Sequence, residues 1–411
     1  MRLAGDSARR RFQGDIKGIL LSDQFSGRDL EHHQAAAIET IRTKRPMAID
    51  SRLKRGTVEE LHSEILLLPV TAPDHESAWL LVGMFFLGWP CAMRAARAQD
   101  HDMPTLNFAH RGGAGLYPEN TLAAFRDAVA RGCDGAELDV QLSRDGEVVV
   151  FHDYKLKPDI CRLGGKWIQK PTPRIKDLTL DELRAFDVGR HDPASGYAKA
   201  RPHSMPIDGE KIPTLAQVLE VTNASSKPFK LQVEFKTSFF DRDVGSTPRA
   251  LTEATVAVLR KADYLDRTIF VGFDWEGLLH AKKIVPQVEC WFTTMELDFL
   301  RDPPSDSDTP TKKLLRHWAE TGTSPWAAGF DPIKYDGSIQ KAIKAAGGDG
   351  WFPYFPDATA EAVAEAKSVG LKVGAWTVNE PGDMKTLIAR GLDGICTDRP
   401  DLLAKALKQA A

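Results

Sequence analysis

From Leu106 to the C-terminus, short apolar runs alternate with amphipathic stretches of helical period. The apolar runs predict β-strands at residues 106–110, 137–142, 148–152, 231–236, 268–273, 288–294, 351–355, 373–378 and 394–397. Helices fit between them, as at residues 121–131, 358–369 and 383–390, which end at Gly132, Gly370 and Gly391. A parallel strand needs such a crossover before the next strand.

About eight such strand-helix units in about 300 residues predict an α/β fold, a TIM-type (β/α)8 barrel. An open dinucleotide-binding sheet is disfavoured because the sequence contains no GxGxxG phosphate loop. Two segments interrupt the pattern. Residues 154–213 are rich in Pro, Gly and charge and predict an insertion over the barrel mouth, and residues 301–310 predict a polar loop.

The first hundred residues differ from the barrel sequence of residues 104–411. Residues 1–60 carry basic clusters with patchy periodicity, which predicts a poorly structured extension. The apolar run at 79–89 is too short for a stable membrane span, and Ala96-Arg97-Ala98 follows it in the pattern that a signal peptidase cleaves.

Residues 70–98 therefore favour a secretory signal and a periplasmic or secreted protein, with a start codon placed too far upstream. Against this, Asp74 and Glu76 stand where lysine or arginine is usual. The alternative is a buried or interfacial helix in a genuine extension, with a cytoplasmic location if the signal is unused.

Charge and cysteine content narrow the function. A net charge of -3 gives no long-range attraction to nucleic acid, so a small anionic substrate must be held by a local positive site. The five cysteines form no CxxC pair and no zinc-ligand spacing, and their spacing leaves disulfide pairing open. The oligomeric state is also left open.

A period of two places Glu137 and Asp139 on one face of the strand at 137–142, and residues 231–236 repeat the design with Glu234 and Lys236. Neighbouring carboxylates inside a barrel repel each other unless a cation or a proton lies between them. With Glu119 from a nearby loop they predict an oxygen-only site of the kind that Ca²⁺ or Mg²⁺ prefers. The alternative is an inert ion-pair network with Lys236 and Arg111.

Two histidines, His110 and His152, follow apolar runs, at the strand ends where barrel enzymes carry catalytic groups. Imidazole exchanges protons near neutral pH. Arg111 offers a planar fork for phosphate oxygens, and Lys236 offers a point charge. These residues predict proton transfer at a phosphate ester.

Seven motifs in order closely resemble the glycerophosphodiester phosphodiesterase family, from about Phe108 to the C-terminus. They are His110-Arg111-Gly112, Pro118-Glu119-Asn120-Thr121, Glu137-x-Asp139-Val140, His152-Asp153, Glu234-x-Lys236, Trp376-Thr377-Val378-Asn379 and Thr397-Asp398-Arg399-Pro400.

The resemblance implies a TIM-type barrel that hydrolyses glycerophosphodiesters to sn-glycerol 3-phosphate and an alcohol with one divalent cation. It implies His110 and His152 as the acid-base pair and Glu137, Asp139, Glu234 and Glu119 as metal ligands. Arg111, Lys236 and Trp376 would contact the substrate.

Three other functions compete with this one. A sphingomyelinase or lysophospholipase D on the same barrel is disfavoured by the insertion at 154–213, which resembles the cap of secreted bacterial glycerol-type enzymes. An aldolase would use Lys236 as a Schiff base. A non-catalytic phosphate-binding barrel would not need both histidines and every acid of the motifs.

Overall fold

The computed structural model of the chain describes residues 47–55, 59–71, 78–87, 105–170, 173–295 and 310–410. The chain divides into two units, Met1–Asp102 and Met103–Ala411. Within the described part of the chain, no helix is both long and apolar enough to cross a bilayer.

The N-terminal unit contains a three-stranded antiparallel sheet, formed by β1 (Met47–Arg55), β2 (Glu59–Thr71) and β3 (Ala78–Leu87). The sequence pattern predicts no strand there, so this sheet is a feature that it missed. Most of the apolar run assigned to a signal peptide lies in β3. The cleavage pattern at residues 96–99 lies outside the described residues, and export stays a prediction.

The C-terminal unit alternates strands and helices. Its strands are β4 (Leu106–Ala109), β5 (Gly135–Leu142), β6 (Val148–Val150), β7 (Arg162–Leu163), β8 (Lys166–Trp167), β9 (Phe186–Asp187), β10 (Lys230–Phe235), β11 (Thr268–Gly272), β12 (Glu289–Thr294), β13 (Gly350–Pro353), β14 (Lys372–Ala375) and β15 (Gly394–Thr397). Its helices are α1 (Leu122–Ala130), α2 (Leu180–Arg184), α3 (Gly196–Lys199), α4 (Leu215–Asn223), α5 (Pro248–Lys261), α6 (Trp275–Ile284), α7 (Pro310–Thr321), α8 (Ile339–Ala345), α9 (Ala360–Ser368), α10 (Pro381–Ala389) and α11 (Pro400–Ala410).

Eight of these strands close a parallel barrel in the order β4-β5-β10-β11-β12-β13-β14-β15, with β15 paired back to β4. The predicted TIM-type fold is therefore confirmed. One of the nine predicted strands, at 148–152, does not belong to the barrel. It contains β6, which pairs antiparallel with the end of β5 through Val140 and Val150, because the turn between them is too short for a parallel crossover.

The helix boundaries follow from the capping residues. Thr121 precedes α1, and its side-chain oxygen accepts a hydrogen bond from the backbone N–H of Ala124 at 3.2 Å. Gly132, which follows α1, has φ +70°, a left-handed conformation that glycine adopts without a Cβ clash. The three predicted helices at 121–131, 358–369 and 383–390 are confirmed as α1, α9 and α10.

Alternation along the barrel strands separates two apolar layers. Leu138 and Val140 face outward into the core between strands and helices. Inside the barrel, a cluster that includes Phe108, Trp291 and Phe352 fills the space. Its members are buried, so the barrel is packed rather than open along its axis.

Residues 154–213 form a small body with its own apolar core, which includes Leu156, Ile175 and Phe186. Its strands pair in the order β8-β7-β9. The backbone N–H of Met205 donates to the carbonyl of Leu116 in the loop after β4 at 2.8 Å. The insertion therefore contacts a loop at the carboxyl ends of the barrel strands, and its place over the barrel mouth stays a prediction. Of the predicted polar loop at 301–310, residues 301–309 lie outside the described residues, and α7 begins at Pro310.

The described cysteines play no part in cross-linking. Cys133, Cys161, Cys290 and Cys396 are buried free thiols. Burial raises the pKa of the Cys133 and Cys161 thiols to about 12, so both stay protonated at neutral pH.

Candidate active site

Three carboxylates meet at the carboxyl end of two adjacent barrel strands. Glu137 and Asp139 lie on β5, and Glu234 lies on β10 directly beside Asp139 in the strand register. One oxygen from each lies within 4.8 Å of the others. Glu137 and Asp139 are only 2% and 1% exposed. The period of two thus places these acids inside the barrel, as the sequence predicts.

Two cationic side chains pair with this group. Nζ of Lys236 donates to Oε1 of Glu234 at 2.7 Å and lies 3.6 Å from Oδ1 of Asp139. Nη1 of Arg111 donates to Oε1 of Glu119 at 2.9 Å, and its Nε lies 3.4 Å from Oδ2 of Asp139. The contacts of the predicted ion-pair network are therefore present. Glu119 belongs to this network on the Arg111 side and lies outside the three-carboxylate group.

The two cations cannot balance four carboxylates. Glu119, Asp139 and Glu234 have Arg111 or Lys236 beside them, whereas Glu137 accepts only the backbone N–H of Arg111 at 3.0 Å. The other oxygen of Glu137, Oε1, is buried without a hydrogen-bond partner among the described residues.

The same imbalance appears in the pKa values. Burial, with repulsion from Asp139 and Glu234, raises the pKa of Glu137 well above its ordinary value. Burial alone would raise the pKa of Asp139 too, but attraction to His152, Arg111 and Lys236 outweighs it, and the pKa lies below its ordinary value. The negative charge of Glu137 is therefore the least compensated of the group.

His110 is oriented by a carboxylate from the last barrel strand. Its Nδ1 lies 2.6 Å from Oδ1 of Asp398, and its Nε2 lies 3.8 Å from Oε2 of Glu137. Asp398 in turn accepts a hydrogen bond from Nδ2 of Asn379 at 3.1 Å, and Nη2 of Arg201 lies 3.8 Å away. The imidazole is thus held with one nitrogen on Asp398 and the other towards the carboxylates.

Four further residues of the site have no role that the sequence predicts: Asp398, Asn379, Asn120 and Arg201. The first three lie inside the quoted motifs, which is the signal that marks them. Asn120 donates from Nδ2 to Oδ2 of Asp139 at 2.8 Å and so holds that carboxylate in place. Arg201 comes from the insertion, where no motif marks it.

His152 lies at the end of the hairpin that continues β5. Its side chain is 30% exposed, and its Nδ1 lies 3.6 Å from Oδ1 of Asp153, beyond hydrogen-bond distance. Nε2 of Gln141 donates to the carbonyls of Phe151 and Asp153 at 2.8 and 2.9 Å and fixes the backbone on both sides of His152. His152 is therefore accessible and placed by its backbone.

Trp376 lies just beyond β14 and is partly buried. Its Nε1 donates to the carbonyl of Phe352 at 3.0 Å, and its ring makes an edge contact with Phe273 at 5.3 Å. The indole packs against the interior cluster of Phe108 and Trp291. It thus lies against the filled interior of the barrel.

Residues 110–402 match the model of the glycerophosphoryl diester phosphodiesterase family, and the chain belongs to this family. It is 30% identical over 298 residues to a glycerophosphodiester phosphodiesterase of Bacillus altitudinis, across 72% of this chain and 96% of that one. The resemblance seen in the sequence is confirmed, and the protein is a phosphoric diester hydrolase.

Solved structures share the fold. A protein from Silicibacter pomeroyi, assigned as a glycerophosphoryl diester phosphodiesterase, superposes with a TM-score of 0.62 at 29% identity and covers 75% of this chain and 95% of its own. An Oleispira antarctica phosphodiesterase, solved with the product sn-glycerol-3-phosphate, gives 0.53 at 24% identity over 74% and 97% of the two chains. A lysophospholipase D of Homo sapiens is 24% identical over 79% of this chain and 92% of its own.

Proposed function

We propose that the enzyme hydrolyses glycerophosphodiesters to sn-glycerol 3-phosphate and an alcohol, with a divalent cation at Glu137, Asp139 and Glu234 and proton transfer by His110 and His152. The single observation that carries this proposal is the meeting of three carboxylates, two of them buried, with an Asp398-bound histidine at one end of the barrel. The glycerol 3-phosphate product of the Oleispira antarctica enzyme supports the choice of substrate class.

The residues present fit a divalent cation. The unpartnered Oε1 of Glu137 and the surplus of carboxylates over cationic side chains provide a negative pocket of oxygen ligands. Oxygen donors without Cys or His favour Ca²⁺ or Mg²⁺ over zinc. When bound, such an ion polarises phosphoryl oxygens and helps to orient the diester. Glu119 stays a proposed fourth ligand, since its Oε1 accepts from Arg111 while its Oε2 has no hydrogen-bond partner among the described residues.

Arg111 and Lys236 act on the charge of the phosphate. Burial would lower the pKa of Lys236, but attraction to Glu234 and Asp139 raises it above its ordinary value, so Lys236 stays an ammonium ion. Fixed positive groups beside a phosphoryl centre stabilise the charge that grows in the transition state. We propose that both side chains contact phosphate oxygens.

The hydrogen bond to Asp398 distinguishes the two histidines. An ionised carboxylate can only accept, so Nδ1 of His110 donates and Nε2 is left as a proton acceptor. We propose that His110 takes the proton from the attacking oxygen, which is either water or the glycerol 2-hydroxyl. His152, which is accessible and has no such carboxylate bond, then protonates the departing alkoxide.

The aldolase alternative is disfavoured by the same contacts. A Schiff-base lysine must lose its proton to attack a carbonyl, whereas Lys236 is bonded to Glu234 and its pKa is raised. Lysophospholipase D activity is the second candidate, because a human enzyme with that name is a relative over most of the chain. It would use the same catalytic groups on a diester whose glycerol carries an acyl chain.

A substrate and metal panel tests the proposal. Glycerophosphocholine, glycerophosphoethanolamine and lysophosphatidylcholine would each be assayed with Ca²⁺, with Mg²⁺ and after chelation. We expect release of sn-glycerol 3-phosphate from the first two, in the presence of a cation only. Equal turnover after chelation would remove the metal from the mechanism, and turnover of lysophosphatidylcholine alone would favour the second candidate.

We also propose that the enzyme is exported and acts in the periplasm or outside the cell. The support is the apolar run at residues 79–89 followed by Ala96-Arg97-Ala98. Sequencing the N-terminus of the mature protein tests this, with a start near Gln99 expected. A mature chain that retains residues 1–60 would contradict it.

A further inference from the structure

An apolar cavity of about 260 Å³ adjoins the carboxylate group. Glu234 and Lys236 form one border of it. The remaining wall is mainly aromatic and aliphatic and includes Tyr154, Phe239, Phe240, Phe273, Leu315 and Trp326. The cavity is thus continuous with the proposed reaction site and differs from it in polarity.

The aromatic side of the cavity is a connected set of rings. Phe239 contacts Phe240 and Trp326 at centroid distances of 4.3 and 5.3 Å, and Phe240 stacks on Trp318 at 5.5 Å. Despite these contacts Phe240 is 46% exposed. An exposed large ring beside a cavity is unfavourable in water and is typical of a surface that binds an apolar group.

Two threonine hydroxyls in the wall already have partners. Oγ1 of Thr237 donates to Oδ2 of Asp274 at 2.8 Å, and Oγ1 of Thr294 accepts from Nε1 of Trp351 at 2.8 Å. Burial raises the pKa of the Tyr154 hydroxyl to about 12, so it stays neutral. A sugar-like substituent would find few hydrogen-bond partners here. An apolar group would release water from the rings at no polar cost.

The border residue Lys236 bears on the charge of the occupant. Aromatic cavities also bind quaternary ammonium groups, but here the carboxylate of Glu234 is already paired with the ammonium of Lys236 at 2.7 Å, so the border offers no unpaired negative charge to such a group. An uncharged chain needs no such charge. In size, a cavity of roughly 150 Å³ holds benzene, so 260 Å³ suits a chain of roughly six to ten carbons.

We propose that this cavity takes an apolar chain of the substrate, so that the preferred diesters carry an alkyl or acyl chain near the phosphate. This inference rests on the proposed hydrolysis and specifies its substrate class. The chain can belong to the departing alcohol or to the glycerol. Both present the same methylene groups to the Phe239, Phe240 and Trp326 rings.

Two matched substrate series separate these sources. The first is glycerol 3-phosphate esterified with ethanol, butanol, hexanol or octanol. The second is glycerophosphocholine with alkyl ethers of the same lengths on the glycerol. In the series that uses the cavity, kcat/KM is expected to rise roughly 2- to 4-fold per added methylene until the cavity is filled.

Variants test whether the dependence of kcat/KM on chain length arises in the cavity. In Phe240→Ser the ratio of kcat/KM for the hexyl and ethyl substrates should fall towards one, and Phe240→Leu should restore most of it. Leu163→Ser is the matched control, since Leu163 is 49% exposed but lies on β7 of the insertion; its ratio should equal that of the wild type. Melting temperatures of all three would show that they fold.

The outcomes are distinct. The inference is supported if kcat/KM rises with chain length in the wild type and in the control, and stays flat only in Phe240→Ser. The series in which kcat/KM rises identifies the end of the diester that enters the cavity. Hydrolysis of the ethyl ester with no chain-length dependence in either series overturns it. Failure to hydrolyse any diester, short ones included, overturns the proposed function and this inference with it.

Discussion

His110 and Asp398 lie 288 residues apart in the chain, yet their side chains meet at 2.6 Å. β4 and β15 are neighbours where the barrel closes, with Thr397 paired to Ala109. The two residues that follow these paired positions therefore arrive side by side at the same rim. Closure of the barrel is what gives His110 its carboxylate partner.

We expect Asp398→Asn to lower kcat roughly 100- to 10,000-fold with the fold retained. The amide can donate to Nδ1 of His110 and so favour the wrong tautomer, which leaves Nε2 protonated and unable to accept. Asp401→Asn is the control, since Asp401 lies three residues on and pairs only with Arg399 in the contacts described. Steady-state kinetics with circular dichroism would show the difference, and a loss under tenfold would argue against an orienting role for Asp398.

The division of labour between the histidines predicts different responses to the leaving group. A nitrophenyl diester has a departing oxygen that needs little protonation. If His152 is the acid, His152→Ala should lower kcat at least 100-fold on a choline diester and much less on the nitrophenyl diester. His110→Ala should lower kcat by a similar factor on both substrates. The reverse pattern would exchange the two roles.

Glu137→Gln should have opposite effects on stability with and without the cation. Without it, the neutral amide relieves the repulsion from Asp139 and Glu234 that raises the pKa of Glu137, so the variant should melt above the wild type. Saturating cation should raise the wild-type melting temperature by roughly 5 to 10 °C and the variant far less. Calorimetry in EDTA and in Ca²⁺ or Mg²⁺ measures both. If the variant melts lower in both buffers, the inert ion-pair network is the better description.

Asp398 should also make stability depend on pH. Burial would raise its pKa, but His110, Arg201 and Arg111 outweigh this and lower it from 3.8 to about 2. Because the folded pKa lies below the unfolded one, the stabilisation is complete above about pH 4 and is lost as the pH falls towards about 2. It amounts to about 2 kcal/mol.

Urea unfolding of the wild type and Asp398→Asn between about pH 5 and about pH 2 tests this expectation. The difference in their free energies of unfolding should shrink over that range. A difference that stays constant with pH would show that the pKa of Asp398 is close to its ordinary value.

Gly135→Ala should destabilise the barrel by roughly 2 kcal/mol or more, because overpacking moves backbone or side chains. Its Cβ would lie 2.3 Å from the carbonyl oxygen of Lys230 and 2.7 Å from Cε1 of Phe108. Gly382→Ala is the control, since a Cβ there meets nothing within 4 Å and the residue lies inside α10. That variant should gain about 0.5–1 kcal/mol. Equal melting temperatures would contradict this view of the interior.

The barrel strands were predictable because burial on both faces leaves short apolar runs, and helix ends were predictable where Thr121 or Gly132 fixes them. The apolar run at 148–152 predicts a further strand in the series because its residues are as apolar as those of the barrel, whereas in the structure it forms the second arm of the β5–β6 hairpin. Only the length of the connecting turn distinguishes the two cases. The sheet β1-β2-β3 was missed because its apolar third strand matches a signal-peptide core equally well.

The positions of site residues were predictable where the residues lie on the same strand. The period of two placed Glu137 beside Asp139 in space, as the structure shows. Partners from distant segments, such as Asp398 for His110 and Arg201 for Asp398, could not follow from local spacing, because only closure of the barrel and folding of the insertion bring them together. The motif predicts Glu119 as a ligand, whereas in the structure its carboxylate accepts a hydrogen bond from Arg111.

The packed interior described above has a consequence for turnover. The interior of the barrel is filled by a cluster that includes Phe108, Trp291 and Phe352. The site is therefore closed along the barrel axis. Substrate then enters, and products leave, on the same side, at the carboxyl ends of the strands. A bulkier side chain at the rim would slow product departure together with substrate arrival, and the two rates would change in concert.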